Sequence, residues 1–253
     1  MCSREMPRRS LLSQVLAAVL VNAVYEMKNY PIVLVNTILS PLSFLLLVVF
    51  VTHGSLLGTG IIGGFVMSMF SSGMTLQTDL AHLKNDFKLQ DMLVSSPVKW
   101  HVYMFGIALS EIVYAMPALV ALALLAAYYT ALTLAGVVQL TLVLALMFLA
   151  SMSIGYTLST FSSDIVQSFA FSRLLSTLFS TLPPVYYPLA FIPMPYRLIA
   201  YLSPTTYAAE LAHAAAGYAS PSAAAVATDW TVLVALTLVL FAIAKKKARW
   251  REI

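Results

Sequence analysis

The chain has 253 residues, of which 60% are hydrophobic and only 9% charged, against about 25% charged in an ordinary soluble domain. A mean hydropathy of +0.88 excludes a water-soluble globule, and the formal charge of +4 does not indicate nucleic acid, because the basic residues are not gathered on one solvated face. Cys2 is the single cysteine, and His53, His82, His101 and His213 have no second ligand three or four residues away, so neither an internal disulfide nor a metal site is expected.

The first element, residues 11–27, repeats apolar side chains every four positions at Leu11, Val15, Val19, Ala23 and Met27. It is short and interrupted by Asn22 and Glu26, which predicts a surface helix over 10–28 in the membrane interface, with an extension of the first span as the alternative. The preceding Arg8–Arg9 pair and the small residues after it resemble a twin-arginine signal. Cleavage there would leave the later lysines on the wrong face, so the segment is expected to be retained.

A bilayer core of about 30 Å takes about 20 apolar residues per helix. Six runs satisfy this, near 32–52, 56–78, 102–129, 136–160, 165–187 and 226–244. The second carries Gly60 and Gly64, a pair at the spacing that lets a neighbouring helix approach closely. Pro41 and Pro117 lie inside spans, which membrane helices accommodate when neighbours re-satisfy the freed carbonyls. The connections after the first and third spans are too short to hold an outer domain.

Between the second and third spans, residues 79–100 read "DLAHLKNDFKLQDMLVSSPVKW". Leu80, Leu83 and Phe87 share one helical face, whereas Leu89, Met92 and Leu93 define another, so the register breaks near Asn85 and Asp86. Two short helices are predicted. The second ends before Pro97 and presents Leu89, Met92 and Leu93 opposite Lys88 and Asp91. A short mixed helix of this kind suits a groove in a soluble partner, the alternative being a solvated linker.

Glu111 and Arg173 fall about nine residues into the third and fifth spans and are intramembrane charge candidates; they either pair or snorkel to headgroups. Asp164, after Ser162 and Ser163, is read as a helix N-cap.

The segment 183–222 must join two outward-facing helix ends. Its part from 183 to 217 holds six of the chain's 12 prolines around the apolar run "YRLIAYL". An aqueous loop would be polar. A segment that dips into the outer leaflet and returns is expected instead, and such backbone is tolerated at depth only inside protein or beside a cavity. It caps a pathway or packs as an inert lid. Of the 14 basic residues, 13 fall on one side of this topology, leaving Arg197 alone outside. The positive-inside rule then puts both termini in the cytoplasm of a plasma-membrane protein.

These stretches together resemble the membrane subunits of type-2 ATP-binding-cassette exporters. The outer pattern is carried by Tyr187, Pro188, Pro193, Pro195, Arg197, Ser203, Pro204, Thr206 and Glu210. The inner pattern is carried by "DFKLQDMLVSSPV", similar to the family's coupling segment. The chain departs from the family where Asp86 to Gln90 replace an acid-rich run, and where His213 stands near a usual arginine.

The resemblance implies one all-α transmembrane domain over 1–253, with six spanning helices, the interfacial helix, and a re-entrant helical hairpin between spans five and six. It implies that Lys84, Asp86, Phe87, Lys88, Leu89, Asp91, Met92 and Leu93 couple to a cytoplasmic ABC ATPase, and that a second permease copy and membrane lipid complete the assembly. No phosphate-cradling Gly-x-x-x-x-Gly-Lys motif occurs, so no catalytic or cofactor-binding residue is expected here; ATP and magnesium belong to the partner. The resemblance implies export of an amphipathic, lipidic, glycan or drug-like substrate. An ion- or proton-coupled secondary carrier is the rival, and would be expected to show further polar residues at mid-membrane.

Overall fold

The computed structural model describes residues 10–85, 100–162, 164–181 and 183–247. Within them the chain is helical, and no strand forms. Helix α1 (Leu11–Asn29) starts at Ser10, whose side chain accepts from the Ser13 amide, a normal N-cap. It is loosened by a π-turn at Leu20–Val24. Pro31, which lacks an N–H and is preset for a first helical position, ends α1 and opens α2 (Pro31–Thr52). His53 and Gly54, with φ of 49° and 81°, turn the chain into α3 (Leu57–Asn85). The next helices are α4 (Trp100–Tyr129) and α5 (Leu134–Phe161). Asp164 then accepts from the Gln167 amide at 2.7 Å and caps α6 (Ile165–Thr181).

Helix α3 is the centre of the bundle. Of its most apolar window 72% is buried, against 11% for α2 and 17% for the last helix, α9 (Ala223–Lys247). Its Ile61, Ile62, Val66, Phe70 and Met74 form one core with Leu122, Val143, Met147 and Leu233. Hydrocarbon tails are as apolar as leucine, so close packing rather than water exclusion must hold such helices together. The α3–α5 crossing shows how. A Cβ on Gly73 would lie 1.9 Å from Ser151 Oγ and 2.7 Å from the Met152 amide nitrogen, so the two backbones meet where only glycine fits. Gly60 faces Leu45 and Val48 of α2, and Gly64 faces Leu122 of α4.

Between α6 and α9 lies the proline-rich stretch. It contains a 3-10 turn at Leu189–Phe191, the short α7 (Arg197–Ala200) and α8 (Pro204–Ala215). It packs at the end of the bundle that also holds the α2–α3 and α4–α5 turns: His213 Nε2 lies 3.1 Å from the Thr59 carbonyl oxygen, and Gly136 faces the Ala215 carbonyl.

The structure adds detail to the first helix and revises the end of the fifth run. The first helix runs 19 residues and is long and apolar enough to cross a membrane by length and composition. It also docks lengthwise on α4, with Ala18 against Gly106 and Glu26 at Tyr114; the constant offset means that the two helices run side by side in the same direction. The fifth run, read as helical to residue 187, stops at Thr181, because Pro183 disfavours helical geometry in the residue before it and Pro184 continues the break. At 17 residues, α6 is about 25 Å long. The chain beyond it continues inward as buried, non-helical Pro183 to Tyr186.

Candidate functional site

On the face of α3 turned away from α5, polar residues recur at Ser68, Ser71, Ser72, Thr75 and Asp79. This is helical spacing, and it forms one wall of a cleft of about 560 Å³. The other walls are Glu26 of α1, Asn36, Thr37, Ser40 and Phe44 of α2, Glu111 and Tyr114 of α4, and Ser176 and Thr177 of α6. From Met67 to Asp79 the cleft follows α3 for about 18 Å. Glu111 is 2% exposed, and its carboxyl is hydrogen-bonded to that of Asp79; such a bond requires one of the two to hold the proton. Glu26 receives a hydrogen bond from the Tyr114 hydroxyl.

The opposite end of the cleft is aromatic. Tyr186 is buried and stacks on Phe44, with ring centroids 4.2 Å apart and planes 25° from parallel. Behind it, Gly63 lets the Val185 backbone approach so closely that a Cβ would stand 2.1 Å from the Val185 carbonyl oxygen.

The rest of the proline-rich stretch secures this plug. Arg197 donates through Nε to the Ile192 carbonyl at 2.6 Å and through Nη2 to the Ala190 carbonyl at 2.9 Å, closing the loop that carries exposed Pro193 and Pro195. Ser203 accepts from the Thr205 amide and caps α8 at Pro204. The buried Thr206 hydroxyl donates to the Ala200 carbonyl, and that of Thr205 to the Phe179 carbonyl at 3.3 Å. Tyr187 and Pro188 are half-buried where the stretch leaves the plug. Phe191, Met194, Leu198 and Leu202 are each more than 60% exposed, an apolar tip that water would not favour and lipid would.

Glu210, half-buried on α8, is held up at a pKa of about 7, first by burial and then by the charge of Asp229, with Arg197 acting in the opposite direction. Burial lowers the His213 imidazole to about 4, so it stays neutral at physiological pH.

Of the other residues singled out from sequence, Lys84 lies in the last turn of α3. Asp86, Phe87, Lys88, Leu89, Asp91, Met92 and Leu93 lie outside the described residues. The pairing of Glu111 with Arg173 does not form: Glu111 faces Asp79 and Glu26, while Arg173 is exposed on α6. Sequence reasoning placed Asp79 at the start of a loop and Glu26 on an interfacial helix, and so missed their convergence. The signal available was the 68–72–75–79 spacing, a polar stripe in an apolar span. Sequence reasoning also missed a clamp between α3 and α6. Gln77 Nε2 donates to the Ser168 carbonyl at 3.1 Å and Ser168 Oγ to the Gln77 carbonyl at 3.2 Å, both buried.

A multi-helix apolar bundle enclosing a polar cleft, with a broken, buried segment packed against one end, is a polytopic membrane transport protein. A family model described as ABC-2 type transporter matches residues 10–216, and the chain belongs to that family. It is the membrane permease subunit of an ABC transporter, the kind of chain that works with a separate ABC ATPase. No curated protein matches it.

Proposed function

We propose that this chain is half of the membrane part of an ATP-driven exporter in the plasma membrane, with both termini and the 79–100 segment in the cytoplasm. A second permease copy completes the path, and two ATPase subunits receive the coupling segment. The observation that carries this reading is the polar cleft, which ends against Tyr186 and Phe44 at the hairpin end and has its carboxyls toward the end of α3 that leads into the coupling segment. Hydroxyls and carboxyls at that depth would be costly against lipid, whereas they suit a wall shared with another copy and a cargo. The basic residues clustered around Asn85, Trp100 and Lys247 support a cytoplasmic reading of that end through the positive-inside rule. Cargo enters from the cytoplasmic side, and ATP binding in the partner separates the hairpin plug from α3, so that the cleft alternates between inner and outer access. The cargo is amphipathic, lipidic, glycan or drug-like.

The test is reconstitution. Permease co-expressed with its ATPase, in proteoliposomes, hydrolyses ATP and moves cargo outward, and Phe87→Ala with Leu89→Ala leaves hydrolysis while abolishing movement. Transport that persists without any ATPase overturns the reading in favour of an ion-coupled carrier, which the Asp79–Glu111 carboxyl pair would serve as a proton site.

A further inference from the structure

The cleft is specific about charge. Its volume of about 560 Å³ falls within the range of about 300–1,000 Å³ typical of small-molecule sites. Three carboxylic acids line it, and among the described residues that do so there is no lysine or arginine. The nearest cation in sequence, Lys28, lines a separate groove with Met27, Val113 and Met116. They are not arranged as a metal cage: no group of three or more acidic, histidine or cysteine side chains is placed to hold a metal ion among the described residues. Carboxyls gathered at one end of a cleft that is otherwise uncharged suit an organic cation better than a compact, strongly hydrated one.

The opposite end offers the complementary half of such a ligand. Phe44, stacked on Tyr186, meets Met67 and Pro41 there, while hydroxyls of Ser71 and Thr75 separate the two ends. An aromatic, apolar end set across hydroxyls from an acidic end suits a cation that carries an extended apolar body away from its charge. A neutral glycan would hydrogen-bond to hydroxyls and carboxyls alike but carries no charge to answer the acids, and an anionic lipid headgroup would be repelled by them.

We propose that the cleft binds an organic cation with an apolar body, the proton-sharing Asp79–Glu111 pair and Glu26 supplying the counter-charge and the Phe44–Tyr186 end the apolar contact. This rests on the exporter reading only for direction of movement; binding itself needs no ATPase.

The test is equilibrium binding of tetraphenylphosphonium to the full chain in lipid nanodiscs, with empty nanodiscs subtracted and tetraphenylborate, of the same shape and opposite charge, as the comparison. Saturable binding is expected, with tetraphenylphosphonium favoured over tetraphenylborate by about tenfold or more. Asp79→Asn combined with Glu111→Gln keeps both side-chain shapes and a hydrogen bond between them, and removes most of that preference. Ser72→Phe, which fills the cleft without touching charge, weakens both probes. Equal affinity for the two probes, or a charge preference untouched by the double substitution, overturns the proposal. Should the cation bind as described while transport persists without any ATPase, the cation site stands and the exporter reading fails. Should the complex export another cargo and the cation not bind, the reverse holds.

Discussion

The closest backbone approach around the cleft is at Gly63, and adding one methyl group there tests whether the proline-rich stretch is a stopper. In Gly63→Ala the new Cβ would stand 2.1 Å from the Val185 carbonyl oxygen and 3.0 Å from Tyr186 Cα. The neighbour is backbone, so α3 and the plug must separate by about 1 Å, since interiors packed to crystal density hold no spare space. Overpacking of this kind costs about 1–3 kcal/mol, a shift of about 5- to 160-fold in the balance between plugged and unplugged forms. The assay uses a Cys2→Ser background with Ser68→Cys in the cleft, and a membrane-impermeant maleimide applied from outside. Labelling is slow in this background and rises at least about fivefold when Gly63→Ala is added, with a lower melting temperature. Gly58→Ala is the control on the same helix, because its Cβ meets the end of the Tyr218 side chain, which can rotate away. If Gly63→Ala changes neither labelling nor melting temperature, the plug contact does not close the cleft.

Arg197→Lys is expected to destabilise the chain by about 1–2 kcal/mol, because a single ammonium cannot reproduce the forked bonds to Ile192 and Ala190 carbonyls; chemical unfolding in detergent measures it, and a wild-type midpoint would be evidence against that role. Glu210 has a pKa raised to about 7 by burial, so its folded state favours the neutral acid. Its contribution is full below the ordinary carboxylate range and declines as pH rises through about 7; the melting temperature therefore falls between pH 5 and pH 8, and Glu210→Gln flattens that slope. Gly73→Leu should prevent assembly of the α3–α5 crossing, where even a Cβ has no room, and size-exclusion chromatography should show no monodisperse species. His213→Ala removes a buried polar contact to Thr59 and is expected to cost about 1–3 kcal/mol, read as a lower melting temperature.

The helices were legible because lipid demands long apolar runs, and the proline-rich stretch because nothing aqueous would combine Pro193, Pro195 and Pro204 with Leu198, Ile199 and Leu202. The end of α6 was misread because Pro183 interrupts an apolar run without changing its hydropathy; backbone geometry, not polarity, stops the helix at Thr181. The cleft was harder to see. Glu111 stood out as an acid in an apolar span, but its partner is chosen by which helices touch, and α3 brings Asp79 beside it whereas α6 turns Arg173 outward. Arg197 stood out in the sequence as the one basic residue outside and as part of the outer pattern, but its bonds to carbonyls five and seven residues back in its own chain are a local fold that no periodicity reports.

Helix α3 is one unbroken rod from Leu57 to Asn85. Gly63 and Asn85 are therefore roughly 33 Å apart on it. A tilt of about 5° imposed at the Asn85 tip swings the Gly63 tip by about 3 Å, more than the clearance that seats Val185. In the export cycle proposed above, leverage along this one helix would carry a movement from one leaflet to the other without a relay of side-chain rearrangements.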